Sequence, residues 1–306
     1  MIISKETKNG VTVYYLDKDI TDEKMEKLQN TNVKLSQINF IIDSDSDVYN
    51  ADGSKLLLRF RKNKLQNDKT NAFYDNVIKF AITKTGNRGS ASGSKKKTVR
   101  DNPRVMTNII GYIDGFSPNQ NKTIRVKKIK KLLNVRETRF TMTQPDKYKK
   151  LIPLIQEIDK YYKMYIPKSY IEQRKKANQI PFRIPNTAFT TITTNVNFQT
   201  TIHKDKGDDE DGFGNLVVIE KGKYSGGETC LPQYGVGVDV RTGDVLFMNV
   251  HEWHGNLPIK IEEPNTRSLS IVCYLRTNIW KKTIHMTKKD MISHNRKVKR
   301  LLYYGE

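Results

Sequence analysis

The sequence predicts an α+β protein whose C-terminal half is an antiparallel sandwich or barrel. After Pro185, short β-branched runs (Thr187 to Thr201, Leu216 to Glu220, Gly235 to Val240, Asp244 to Val250, Ser268 to Leu275) alternate with Gly, Pro, Asn and Asp. Strands of that length, punctuated by turn residues, close into sandwiches or barrels. Ahead of them, Tyr148, Leu151, Ile152, Ile155, Ile158 and Tyr162 recur at helical spacing, which marks an amphipathic helix over Asp146 to Tyr165. Residues 1–80 mix both patterns.

Taken in order, Val11 to Leu16 reads as a strand, and Thr21 caps a helix running to Leu28. Lys55 to Arg61 reads as a strand and Ala72 to Ala81 as an amphipathic helix. Thr85 to Ser94 is a Gly/Ser loop, and Val105 to Ile113 a strand. Pro167 ends the long helix, and a second helical piece follows from Lys168 to Asn178. The expected organisation is an α/β supporting region over 1–120, the β-rich core with supporting helices over 121–280, and a basic helix or tail over 281–306.

Composition narrows the partners. The 306 residues carry 54 Lys+Arg against 33 Asp+Glu, a formal charge of +21, and such a field favours polyanions. Lys84 to Arg100, Lys122 to Lys131 and Lys281 to Arg300 are acid-poor clusters, within which Lys95, Lys96, Lys97, Lys127 and Lys128 are candidate phosphate contacts. Compositional bias of a Lys- and Asn-rich chain is the competing explanation. With 15 Tyr and 11 Phe the chain is not expected to be disordered. No apolar run is long enough to span a bilayer, and the N-terminus lacks a signal-peptide pattern. Two cysteines, Cys230 and Cys273, make neither a disulfide framework nor a zinc cluster. A reduced intracellular protein (host cytoplasm or nucleus if viral), not secreted, without a membrane partner and monomeric, is expected.

The chemistry concentrates in the β-rich half. His203 and Asp205 are two apart, so on a strand they share one face. His251-Glu252-Trp253-His254 offers a third ligand. Two His and one carboxylate with open positions form the facial triad of non-haem Fe(II) oxygenases. Such an enzyme needs two further electrons, which 2-oxoglutarate supplies by oxidative decarboxylation, and the far carboxylate of that co-substrate calls for a fixed Arg. His203-x-Asp205, Gly226-Gly227-Glu228-Thr229 with Leu231-Pro232, Arg241 to Phe247, His251 to His254 and Arg267 follow in that order. Jointly they mark a double-stranded β-helix oxygenase core of jelly-roll or cupin-like type, with helical and α/β support from the N-terminal region.

These residues resemble the TET/JBP family of Fe(II)/2-oxoglutarate nucleic-acid-base oxygenases, in particular forms from phages and large DNA viruses. The resemblance rests on Thr187 to His203, Gly207-Asp208, Gly212 to Leu216, Gly226 to Gly235 and Val250 to Asn256. Upstream, Asn87-Arg88-Gly89 and Asn108 to Tyr112 extend it, so that it covers about residues 85–278. It implies His203, Asp205 and His254 as iron ligands, since His254-Gly-Asn-x-Pro has the form of the family motif; His251 is the competitor, three residues away on an extended segment and so expected on the opposite face, and otherwise a rim neighbour or a structural His. It implies Arg267 as the 2-oxoglutarate cation, with Ser270 as a minor co-substrate contact; Asn195 and Asn197, on the strand before His203, are candidates for the co-substrate pocket or for cross-strand hydrogen bonds. The family pattern Arg-x-Ser-x-Val reads here Arg267-Ser268-Leu269-Ser270-Ile271-Val272. With Ser270 aligned, Arg267 falls one residue early and needs a bulge to point inward.

The implied activity is oxidation of 5-methylcytosine in DNA to 5-hydroxymethylcytosine, and possible further products, on a flipped base. Asp208 is a candidate acceptor for cytosine N4–H₂, or a turn cap in its acidic loop. Arg88, His251, Tyr234, Trp253 and Phe213 are candidates at the substrate, with core packing the alternative for the aromatics. Thymine or another base, a peptidyl prolyl or lysyl substrate, and a nucleic-acid-binding barrel without oxidation chemistry are the rival readings.

Overall fold

Alternating apolar side chains and turn residues set the frame, and the elements follow from them. The computed structural model describes residues 1–93, 104–129 and 132–304. In chain order the strands are β1 (Ile2–Lys8), β2 (Val11–Leu16), β3 (Phe40–Ile42), β4 (Ser46–Asn50), β5 (Leu56–Arg61), β6 (Thr107–Asp114), β7 (Val135–Glu137) and β8 (Thr191–Val196). There follow β9 (Gly214–Lys221), β10 (Tyr224–Gly226), β11 (Thr229–Leu231), β12 (Val236–Val238), β13 (Val245–Met248), β14 (Gly255–Asn256), β15 (Ile259–Ile261) and β16 (Arg267–Tyr274). The α-helices are α1 (Asp22–Leu28), α2 (Asn67–Ala81), α3 (Pro118–Val126), α4 (Arg139–Thr143), α5 (Pro145–Tyr165), α6 (Pro167–Asn178), α7 (Thr277–Thr283) and α8 (Lys288–Lys299).

The chain divides into two compact units that are not consecutive in sequence. The first holds Met1–Asn108, Thr193–Lys206 and Phe213–Val272; the second holds Ile109–Ile192, Gly207–Gly212 and Cys273–Glu306. The strands β6, β8 and β16 contribute residues to both.

In the first unit a large sheet runs in the order β1-β2-β4-β5-β13-β9-β16-β8, and a small one in the order β14-β11-β12-β3. Leu16, Val48, Leu58, Phe60, Leu246 and Met248 from the large sheet pack against Ile42, Leu231, Val236 and Val238 from the small one. Each is buried, and each such side chain removed from water is worth about 1.5–3 kcal/mol. This is the expected double-stranded β-helix core. Its sheets are completed from the N-terminal region: β5 pairs antiparallel with β13, placing Phe60 opposite Leu246, and β3 pairs parallel with β12, placing Phe40 opposite Val236.

The β-run expected over Thr187 to Thr201 is a strand only over Thr191–Val196. The left-handed Asn197 (φ 46) ends it, and this residue fastens the strand to its neighbour by accepting from Ser268 N at 2.7 Å. Beyond it, a second apolar cluster of Met25, Val33, Ile202, Cys230, Trp253 and Leu257 forms around the segments that carry the histidines.

In the second unit, α5 buries Leu151, Ile155, Ile158 and Tyr162 of the stripe read from the sequence, adds Leu154, and leaves Tyr148 and Ile152 half-buried. Pro167 both stops α5 and opens α6, because a residue without N–H fits a first helical turn. Asp159 on α5 accepts from Tyr170 Oη on α6 at 3.0 Å and from the Ala188 amide at 2.6 Å. Tyr112 on β6 pairs with Glu137 on β7, and Tyr112, Val135, Ile180, Phe182 and Ile279 form this unit's own cluster. Among the described residues, no helix is long and apolar enough to cross a membrane.

Candidate metal centre

Two short segments bring the titratable groups together. The chain after β8 returns through Thr201-Ile202-His203, where Thr201 N donates to Ala91 O at 3.1 Å and Ile202 N to Thr31 O at 2.8 Å. His203 and His254 then exchange both backbone hydrogen bonds at 2.9 Å, and Asp205 N donates to Val250 O at 3.0 Å. The ladder places the two imidazoles and the carboxylate side by side.

His203, Asp205 and His254 each offer a ligand atom, and these atoms lie within 4.8 Å of one another. Asp205 Oδ1 is 3.5 Å from His203 Nε2, and Asp205 Oδ2 is 3.7 Å from His254 Nε2. Among the described residues this is the one His/Cys/Asp/Glu cluster with metal-binding geometry.

The tautomers are set by the backbone. His203 Nδ1 sits 2.7 Å from Thr201 O, and His254 Nδ1 2.9 Å from Glu252 O. A carbonyl only accepts, so each Nδ1 carries the proton and each Nε2 presents its lone pair to the centre. Burial, reinforced by the field of His203, pushes the His254 imidazole down to about 4, so it is neutral at pH 7. Burial raises the Asp205 carboxyl, but the neighbouring imidazoles, His203 first, and the Arg88 guanidinium outweigh it and hold it well below the usual carboxylate range. Two imidazoles and an ionised carboxylate form the donor set that Fe(II) takes in a facial triad, with sites left over for a chelating co-substrate.

The other expected site residues are distributed unevenly. His251 does not sit on an extended segment; residues 250–252 form a turn, in which Glu252 N donates to Asn249 O. The turn brings His251 Nδ1 to 3.2 Å from Asp205 O, beside the cluster and outside it. Tyr234 is buried in the inter-sheet core with its hydroxyl on Glu252 Oε2 at 3.4 Å. Trp253 is buried in the second cluster, with Lys204 Nζ 4.9 Å from its ring centroid. Phe213 is half-buried at the start of β9.

Arg88 donates to Asn195 Oδ1 from Nε at 3.3 Å and Nη2 at 3.1 Å, and Asn195 Nδ2 donates to Ser270 Oγ at 3.1 Å. Arg267 instead donates from Nη1 to Thr266 O at 2.9 Å. In the second unit, Asp208 forms a bridge with Arg276 and accepts from Thr277 Oγ1 through its carbonyl at 3.1 Å. Lys127 and Lys128 follow α3 in that unit. Lys95, Lys96 and Lys97 lie outside the described residues.

Sequence reasoning missed Lys55 and Glu252. The Lys55 ammonium pairs with the buried Glu252 carboxylate, directly beneath the carbonyl that orients His254. The two are 197 positions apart, and no local pattern joins a strand-edge Lys to a Glu in a distant turn.

Comparison with known proteins agrees with this geometry. The Tet_JBP family model, the oxygenase domain of the 2OGFeDO superfamily, matches residues 126–277. A bifunctional helicase and thymine dioxygenase JBP2 from Leishmania braziliensis is 30% identical over 218 residues, 71% of this chain and 18% of that protein. Thymine dioxygenase JBP1 from Trypanosoma brucei brucei is 34% identical over 146 residues, 47% of this chain and 17% of that protein. The chain thus spans less than a fifth of the length of these relatives. Among solved structures, NgTET1 in complex with 5mC DNA superposes with a TM-score of 0.53 at 16% identity, covering 86% of this chain and 94% of that one. That likeness is one of fold.

Proposed function

Because this chain belongs to the TET/JBP-like family of 2-oxoglutarate/Fe(II) oxygenase domains, we propose that it oxidises the C5-methyl group of a pyrimidine base in DNA. The observation that carries the reading is the convergence of His203 Nε2, Asp205 and His254 Nε2 within 4.8 Å on a double-stranded β-helix core. Iron held by these residues would let dioxygen act as the oxidant and 2-oxoglutarate as the two-electron reductant, so that one oxygen atom would end in succinate as carbon dioxide is lost and the other in the methyl group as hydroxyl.

The residues of the chain do the rest. The reciprocal ladder between His203 and His254 fixes both imidazoles, and the carbonyls of Thr201 and Glu252 keep their protons on Nδ1. Asp205 stays ionised at working pH, so it can meet a metal ion without first losing a proton. A base within a duplex cannot reach such a centre, so the target is flipped or single-stranded. Phosphate contacts from the clusters Lys84 to Arg100, Lys122 to Lys131 and Lys281 to Arg300, Lys127 and Lys128 among them, then have a purpose, consistent with the +21 charge.

5-Methylcytosine is the first reading of the base, with 5-hydroxymethylcytosine as product. Thymine is the second, favoured by the names of the JBP relatives. Nucleoside mass spectrometry after incubation with Fe(II), 2-oxoglutarate and duplexes bearing either base separates them. Hydroxymethylcytosine from the first duplex supports the first reading, and hydroxymethyluracil from the second supports the second. Succinate formed only with peptide pools, or no turnover in any arm from metal-loaded protein, overturns the proposal.

A further inference from the structure

The large sheet of the first unit has a face turned away from the inter-sheet core, and its first strands carry a cleft there. Tyr14, Leu16, Val48, Leu58 and Phe60 belong to the core, and side chains alternate along a strand. Val13 and Tyr15 of β2, Asp47 and Tyr49 of β4, and Arg59 and Arg61 of β5 therefore share the opposite face. The register agrees, because Val13 is the partner of Asp47, Tyr15 of Tyr49 and Asp47 of Arg59. Val13, Tyr15, Asp47, Tyr49 and Arg61 line a cleft of about 630 Å³, with Lys8 at its rim. None of its lining residues belongs to the metal cluster.

One wall of the cleft is aromatic. The half-buried Tyr15 and Tyr49 rings are stacked, with centroids 5.8 Å apart and planes at 22°, on neighbouring parallel strands. Their hydroxyls are fixed: Tyr15 Oη donates to Glu6 at 3.2 Å, and Arg59 Nη2 donates to Tyr49 Oη at 3.4 Å. The cleft's buried centre is cationic. Arg59 and Arg61 share the single Asp47 carboxylate, whose Oδ1 lies 2.7 Å from Arg59 Nε and 2.9 Å from Arg61 Nη2. Two guanidiniums on one carboxylate leave one positive charge in excess. At the rim Lys8 and Glu6 cancel as a pair at 2.8 Å, and Asp52, exposed on its own turn, is screened by solvent. Aromatic rings on adjacent strands of a sheet face, beside a cationic group, form the surface on which unpaired bases stack while their phosphates are held.

We propose that this cleft binds single-stranded nucleic acid, with one base stacked against the Tyr15–Tyr49 wall over Val13 and the adjoining phosphate drawn to the Arg59–Arg61 pair. Every base offers a π-face, so the cleft holds a strand without reading its sequence. The site lies ahead of the region 126–277 that carries the family signature, and it needs neither iron nor 2-oxoglutarate.

The test is photocrosslinking of the full chain to an oligothymidine of about ten nucleotides that carries one 5-iodouracil, with yields read peptide by peptide by mass spectrometry. Crosslinks at the basic clusters or the metal centre are thereby counted apart. Wild type should crosslink in the peptides that bear Tyr15 or Tyr49. Tyr15→Leu should lower the yield at Tyr49, and Tyr49→Leu the yield at Tyr15, by at least about 5-fold, the smallest loss expected for one stacked base. Tyr15→Phe and Tyr49→Phe keep the ring and should keep the yield, which separates stacking from a structural role of the hydroxyls. An abasic deoxyribose-phosphate strand of equal length should compete at least about 5-fold more weakly than oligothymidine, and a duplex, whose bases are already stacked, likewise. No crosslink in either peptide, leucine variants that crosslink like wild type, phenylalanine variants that fail like leucine, or an abasic strand or duplex that competes as well as oligothymidine overturns the proposal. Oxidation is not read in any arm, so each of these results is distinct from a failure of the metal-centre reading.

Discussion

His203 and His254 are joined twice, by reciprocal backbone hydrogen bonds of 2.9 Å and by imidazoles whose centroids lie 4.3 Å apart. The pair is an isolated bridge outside the named strands, so the two segments that carry the rings are held together by main-chain pairing.

Removal of a ligand should therefore abolish metal binding and leave the scaffold standing. His203→Ala, Asp205→Ala and His254→Ala are each expected to weaken Mn(II) affinity by more than about 100-fold, whereas His251→Ala, outside the cluster, should change it far less. Titration followed by electron paramagnetic resonance measures this directly. Equal losses at His251 and His254 would contradict the ligand set, and loss of salt-sensitive DNA binding along with the metal would show the three to be structural.

The Lys55–Glu252 pair supports the same centre from beneath. Glu252 is 6% exposed and its carbonyl orients His254. Among the described residues, Lys55→Met leaves that carboxylate with the Tyr234 hydroxyl at 3.4 Å as its side-chain partner. Metal affinity should fall by about 10-fold, as for other residues that orient a ligand. The Lys55 side chain is 46% exposed, so solvent screening keeps the loss of stability to about 1 kcal/mol or less. Denaturation and metal titration of the same variant separate the two effects.

Gly226 owes its place to a close approach. It has φ +75, and a Cβ there would stand 2.1 Å from Pro258 O, which is backbone and cannot swing away. Gly226→Ala should cost about 3 kcal/mol or more through combined strain and overpacking. Gly10, with φ +76 and nothing within 4 Å of its Cβ position, is the control. Gly10→Ala should cost only the left-handed penalty of about 1–2 kcal/mol. Similar losses at both sites in urea denaturation would refute the steric argument.

His294 predicts an acid limb. Burial holds its imidazole below the ordinary 6.5, while Nε2 lies 2.7 Å from Val135 O. The unfolded chain thus binds the proton more readily. The contribution of this residue is complete above about pH 6.5 and is lost as pH falls from there through the lower folded value. In metal-free protein, His294→Gln should flatten the stability profile across that window. An unchanged slope would assign the acid limb to other groups.

Much of the centre was legible in the sequence because strand geometry has a period of two. His203-x-Asp205 had to share a face, and the β-branched runs after Pro185 had to pair. The α5 stripe was equally plain, since six apolar residues at helical spacing admit little else. What escaped depended on partners far along the chain. The bonds of Asn195 to Ser270 and of Asn197 to Ser268 join positions 75 and 71 apart. The turn that moves His251 beside Asp205 was set by Asn249, whose Oδ1 accepts from His251 N at 3.1 Å. The short strands β3, β11 and β14 lack the length to show alternation and exist only because neighbours complete their ladders.

The pairing of β5 with β13 and of β3 with β12 has a practical consequence for dissection of this protein. The region bearing the family signature, 126–277, contains the ligands but neither outer neighbour of its two sheets. Excised alone, it would bare the edges of β13 and β12, and of β8 and β7 as well, since β6 between them is also lost; each is a template for self-association. The N-terminal segment thus acts as a built-in chaperone for the catalytic fold, and a soluble minimal fragment has to begin ahead of β3.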